Sequence, residues 1–90
     1  FTLHQNFPNP FNPITTLSYD IPKDSHVRLA IFDMLGNEVA LLINNVQKAG
    51  FKSLKWNAKE SMGLSLAAGL YFYKIEAGEF FKVKKMVILK

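Results

Sequence analysis

The sequence contains no cysteine and only two histidines, His4 and His26, in 90 residues. The first absence removes disulfides, thiolate zinc sites and a cysteine nucleophile together, without fixing a compartment. With two imidazoles so far apart, a metal site would rest on carboxylates alone, and Asp20 and Asp24, which flank a turn, read as solvated turn residues. No apolar run approaches the ~20 residues of a membrane-spanning helix. No glycine-rich phosphate loop, paired-carboxylate signature or histidine cluster is present. Ser25 and His26 are adjacent, and neighbours on a strand point to opposite faces, so they do not form a nucleophile and its base. The chain reads as non-catalytic, with no cofactor, metal or small-molecule substrate. Phe1 follows no initiator methionine and no signal-peptide pattern, so the stretch is expected to be a segment excised from a longer protein.

A helical period is also missing. The nearest window, Glu38 to Val46, carries β-branched residues and Asn44-Asn45 where a helix favours better formers. What is present is a generous aromatic content, 13%, within a 49% hydrophobic composition. A small β-protein uses such side chains to bury enough area from few residues.

Three of the four prolines fall within six positions of Asn6-Phe7-Pro8-Asn9-Pro10-Phe11-Asn12-Pro13. Each removes a backbone donor and pushes its predecessor to an extended conformation, which excludes helix and central strand. Residues 1–13 therefore read as a stiff Pro/Asn-rich segment that docks on the body through Phe7 and Phe11, with residues 14–90 forming that body. From Ile14 the apolar period is two. Leu17, Tyr19 and Ile21 form one run, and Val27, Leu29 and Ile31 a second. Gly36 supplies a positive-φ turn after Asp33. A third strand is expected over Glu38–Ile43, with a bulge hidden in Leu41-Leu42-Ile43. Gly50 opens a strand carrying Leu54 and Trp56, residues 57–68 read as a long loop, and Gly69 opens a strand with Tyr71, Tyr73 and Ile75 on one side. Gly78-Glu79 turns the chain into a last strand, Phe80–Lys90. Short strands separated by turns every ~8–12 residues predict an all-β, Ig-like antiparallel sandwich of six or seven strands, with Trp56 in the core and a small barrel as second choice.

Charge is uneven. Residues 1–47 carry two basic and four acidic side chains, residues 48–90 nine basic and three acidic, so +4 overall is −2 plus +6. Lys82, Lys84 and Lys85 beside Phe80 and Phe81 have the composition of a single-strand nucleic-acid surface. Their alternation with Phe81 and Val83 reads more simply as a half-buried strand whose lysines prevent edge-to-edge association, and no RNA-binding motif accompanies them. No nucleic-acid partner is expected. Rings on the Tyr71, Tyr73 face or at Phe72 offer a carbohydrate platform only if exposed; core filling is the simpler role.

Taken in order, the motifs resemble the type A C-terminal sorting domains of the bacterial type IX secretion system. Asn6, Pro8, Asn9, Pro10, Phe11, Asn12 and Pro13 are similar to the family's opening "YPNPFNP". Lys85-Met86-Val87-Ile88-Leu89-Lys90 resembles its closing "K-x-x-V-x-K", with Ile88 where Val is usual. Asp33 to Val39, containing Gly36, looks like its "D-x-x-G-R-E-V" hairpin, and Trp56 and Gly69 to Tyr73, including Tyr71, fall where it has "W-D-G" and "S-G-V-Y-F-Y". Asn37, Ala58 and Ala68 depart from the usual Arg, Gly and Ser, and Ala58 accepts a positive φ less readily than Gly. The core pattern is also similar to the Ig-like domain of flagellar hook-capping proteins. The resemblance implies a sorting signal that directs an N-terminally attached cargo across the outer membrane of Gram-negative bacteria, through the periplasm to the cell surface or the exterior. It implies two partners, the outer-membrane secretion machinery and a sortase-like peptidase that removes the domain. It also implies recognition through Lys85, Met86, Val87, Ile88, Leu89 and Lys90, with strand addition to an exposed edge as one mode. The Asn-Pro segment reads first as a clamp over one sandwich edge. The rival reading is an accessory Ig-like module, carbohydrate-binding or a spacer, of a secreted enzyme or adhesin.

Overall fold

The computed structural model describes residues 1–89; Lys90 lies outside the described residues. Seven strands form two antiparallel sheets: β1 (Thr2–Leu3), β2 (Ile14–Ile21), β3 (Ser25–Phe32), β4 (Glu38–Gln47), β5 (Gly50–Asn57), β6 (Gly69–Ala77) and β7 (Phe80–Ile88). The smaller sheet has the order β1-β2-β5 and the larger β4-β3-β6-β7. The fold is thus the expected all-β sandwich, with the arrangement of an Ig domain whose fourth strand lies on the larger sheet.

Period-two patterning builds the core. Leu17, Tyr19 and Ile21 of β2 face Val27, Leu29 and Ile31 of β3 and Tyr71, Tyr73 and Ile75 of β6, all buried. The alternate residues Leu70, Phe72 and Lys74 are only partly covered. Trp56 is buried as expected, and its indole N–H donates to Ser61 Oγ at 2.7 Å.

β4 runs four residues beyond its expected end. The expected bulge is present: Leu29 pairs with Ile43 and Ala30 with Leu41, which leaves Leu42 unpaired, and a second irregularity skips Val39. Both skipped residues pack against the core. Asn44 and Asn45 continue the ladder opposite Arg28 and Val27 rather than turning.

Residues 57–68 are not simply a loop. A short helix, α1 (Ala58–Met62), and a 3₁₀ turn (Gly63–Ser65) occupy them. Asn57 caps α1, its Oδ1 accepting the Glu60 N–H at 3.1 Å, an Asn-x-x-Glu start signal for a helix too short to show a period. Ala58 is the fully buried first residue of α1. The position needs no positive φ, and among the described residues only glycines adopt one. The departure from Gly at 58 therefore costs nothing.

The β3–β4 hairpin follows the expected chemistry. Asp33 Oδ1 accepts the N–H groups of Leu35 and Asn37, each at 2.9 Å, and Gly36 has φ +86°. Asn37, standing where the resemblance has Arg, donates its side-chain amide to Asp33 Oδ2 at 3.2 Å. The backbone N–H of Asn37 is the chief cause holding the Asp33 carboxyl below its usual range, against a smaller desolvation effect.

Candidate recognition site at the junction of the two terminal motifs

The N-terminal segment begins as a sheet edge. β1 pairs with β2, and His4 N–H donates to Ser18 O at 3.0 Å. Further along, Phe7 and Thr16 exchange both backbone hydrogen bonds. Between these contacts Asn6 turns inward and is buried. Its side-chain amide donates to Thr15 Oγ1 (3.0 Å) and Pro8 O (3.2 Å), and its backbone N–H donates to the phenol oxygen of Tyr73 at 2.9 Å. Tyr73 in turn donates to His4 O at 2.7 Å. Burial pushes the Tyr73 phenol up to about 12, against the lowering effect of the Asn6 N–H bond. No buried side-chain nitrogen or oxygen among the described residues lacks a partner. Burying an asparagine and a tyrosine without loss requires this kind of complete pairing.

The segment also runs beside β7 of the larger sheet, touching it first through Phe1 on Phe80, and past Pro8 it pairs with the strand. The outer edge of β7 would otherwise present unpaired backbone groups. Instead Gln5 Nε2 donates to Lys85 O at 2.8 Å, and Asn9 Oδ1 accepts the Val87 N–H at 2.9 Å. Phe11 N–H donates to Val87 O (3.0 Å), and Leu89 N–H donates to Phe11 O (2.8 Å), a parallel bridge between Phe11 and Ile88. Phe11 is buried, with its ring centroid 6.0 Å from that of Trp56. Pro13 O accepts the N–H of Ala58, the first residue of α1, at 2.9 Å. Phe7 differs from expectation: it is 79% exposed, and only its backbone docks. The Phe7–Thr16 exchange orients the segment while Phe11, together with Leu3, fills the core.

The structure therefore gathers most of the residues singled out in the sequence. Asn6, Asn9 and Phe11 meet β7 or β6 directly, and Pro8, Pro10, Asn12 and Pro13 shape the path between them. Gly69 pairs with Ile88 and Tyr71 with Met86 in the β6–β7 ladder. Gly36 stands apart in the β3–β4 hairpin. Within the closing motif, Met86 and Ile88 are fully buried, Val87 is half-buried, Lys85 is exposed and Leu89 is 49% exposed. Only one face of the closing strand is packed. Tyr73, Thr15 and Gln5 were not singled out as site residues. A buried tyrosine in need of a hydroxyl partner is the one signal that points to Tyr73.

Two expectations change. Strand addition to the closing motif finds Lys85–Leu89 already bonded along its outer edge. The first half of β7 is also not half-buried: Phe81 and Val83 are 64% and 50% exposed on the outer face of the sheet. Tyr71 and Tyr73 are both in the core and present no ring surface.

This Ig-like sandwich, strapped along its last strand, is the fold of a sorting domain. The family model described as a secretion system C-terminal sorting domain matches residues 5–89, and the chain belongs to that family. A solved chain is similar in fold: PorZ, a bacterial surface component of the type-IX secretion system of Porphyromonas gingivalis, with 18% identity and a TM-score of 0.66. The match covers 98% of this chain and 11% of that one. No curated protein matches in sequence. The chain is a sorting signal of type IX secretion, as the motifs imply, and such signals belong to proteins bound for the cell surface or the exterior. No helix among the described residues is long and apolar enough to cross a membrane.

Proposed function

We propose that this domain is the non-catalytic address of a larger exported cargo. The outer-membrane machinery reads it on the composite edge formed by its two terminal motifs, and a sortase-like peptidase removes it after translocation. One observation carries the reading: Phe11, from the opening motif, is hydrogen-bonded to both Val87 and Leu89 of the closing one. A fold needs Met86 and Ile88 in its core, but it has no use for an exposed Lys85 or Leu89. We assign receptor contact to Lys85, Val87 and Leu89, with Lys90 added by the family resemblance. Met86 and Ile88 position them from below.

The test is a reporter carrying a signal peptide in front of this domain. Deleting residues 86–90 is expected to strand the reporter in the periplasm, and mass spectrometry of secreted wild-type reporter is expected to show the domain removed. Paired Lys85→Ala and Leu89→Ala substitutions are expected to block export while leaving the thermal midpoint unchanged. Full export of the deletion variant, with the domain still attached, overturns the proposal. Glycan-array binding lost in Phe72→Ala would favour an accessory carbohydrate-binding module instead.

A further inference from the structure

The strap hydrogen-bonds only half of the edge it lies along. Alternation on a strand sends the backbone groups of successive residues to opposite sides. On β7 the odd-numbered residues bond outward, as Val87 and Leu89 show through Phe11, while β7 is the last strand of its sheet. The strap accounts for Lys85 O onward. The outward backbone groups of Phe81 and Val83 make no hydrogen bond; the strap reaches this end only through Phe1, whose ring packs edge-on against Phe80 at 5.6 Å, and through β1, which passes nearby. Such an edge is a ready template for another strand.

Its side chains select the strand. Phe81 and Val83 are on the outer face. The ammonium of Lys74 lies 5.5 Å from the Phe81 ring centroid. Val83, with Phe32, Phe72 and Lys74, lines a shallow hollow of about 270 Å³. Lys82 and Lys84 belong to the opposite face, opposite Ile75 and Tyr73 in the ladder, with no carboxylate across from either. The ion pairs among the described residues are His4–Asp20, Arg28–Glu38 and Lys74–Glu76, so neither lysine is neutralised. A second copy of this chain is a poor occupant. Antiparallel pairing about Val83 sets Lys82 against Lys84 twice, and in-register parallel pairing stacks each lysine on itself; like charges directly opposite are destabilising.

We infer that residues 81–84 of β7 form a second docking edge, which takes an extended segment alternating acidic and apolar side chains from a component of the export machinery. Carboxylates of the incoming strand meet Lys82 and Lys84, its apolar residues meet Phe81 and Val83, and its backbone continues the sheet. The inference rests on the sorting reading for the identity of the partner, but its edge chemistry stands on the geometry alone.

The test titrates the isotopically labelled 90-residue chain with a synthetic peptide of about six residues alternating glutamate and valine, the length of an ordinary strand. Binding is expected to shift the Phe81 and Val83 amide resonances and slow their hydrogen exchange, and to weaken with added salt. The combined Lys82→Glu and Lys84→Glu variant is expected to lose at least about tenfold in affinity, and a lysine–valine peptide is expected not to bind. Val83→Pro, which removes an outward donor, gives the same loss; because it perturbs the strand, the charge-reversal variant decides if it folds poorly. Equal binding of both peptides, shifts confined to other strands, or unchanged affinity after charge reversal overturns the inference. In the reporter, export blocked by deletion of 86–90 but untouched by charge reversal overturns the inference alone. Export indifferent to the deletion overturns the sorting reading instead.

Discussion

The side-chain oxygen of Asn9 accepts the backbone N–H of Val87 at 2.9 Å, across 78 positions of sequence. An asparagine serves here because its amide mimics a strand carbonyl where the prolines on either side leave no ladder to supply one. Asn9→Ala is expected to cost about 0.5–1.5 kcal/mol, near the lower end because water reaches the freed donor. Hydrogen exchange at Val87 checks it: that amide accelerates in Asn9→Ala and is protected again in Asn9→Asp, which restores an acceptor.

Phe7 and Phe11 sit four residues apart in the same motif with opposite fates. Phe11→Ala empties a buried site against Trp56 and is expected to cost about 3–5 kcal/mol. Phe7→Ala is expected to stay within about 0.5 kcal/mol. Urea midpoints measure both, and equal losses would contradict the assignment of Phe11 as the anchor.

Tyr73 gives an alkaline signature. Its phenol is raised to about 12 in the fold, whereas an unfolded tyrosine titrates near ~10. Between those values the folded chain holds a proton that the unfolded chain has lost, so stability is intact below about pH 10 and falls as pH rises toward 12. Tyr73→Phe is expected to flatten this limb, leaving the contribution of Tyr19, whose phenol burial also raises. At neutral pH the same variant is expected to cost about 1–3 kcal/mol, because the Asn6 N–H and His4 carbonyl lose their partner.

Asp33 gives the acid counterpart. Its carboxyl is held low by the Asn37 N–H, so the folded hairpin binds fewer protons than the unfolded chain in acid. Its contribution is full above the ordinary carboxylate range and is lost as pH falls through the lowered folded value. Asp33→Asn keeps an acceptor for the turn but has no charge to titrate. Denaturation midpoints followed downward from about pH 5 are expected to fall less steeply in that variant than in wild type.

Strands and their facing were legible because a half-buried sheet imposes a period of two, which Leu17-Tyr19-Ile21 and Tyr71-Tyr73-Ile75 state plainly. The bulge at Leu42 was legible as a break in that period. The end of β4 was not: Asn44 and Asn45 resemble a turn, and only pairing with Arg28 and Val27 keeps them extended. Helix α1 was missed because five residues show no period; the Asn57–Glu60 cap was the available clue. The residues of the candidate site were named from the two terminal motifs, but their contact was not. Nothing local in Asn9 or Phe11 specifies a partner at Val87, since that pairing is set by the sheet order. Composition likewise gave no means of telling Phe7 from Phe11.

The bridge between Phe11 and Ile88 also sets an order of assembly. Of the seven strands β7 is synthesised after the other six, so Phe11 gains its backbone partners only when all the rest are present. A prematurely terminated polypeptide ending before β7 displays neither the strap in place nor the edge it covers. Loss of β7 therefore removes both sides of that contact at once and uncovers Phe11 and Trp56 together.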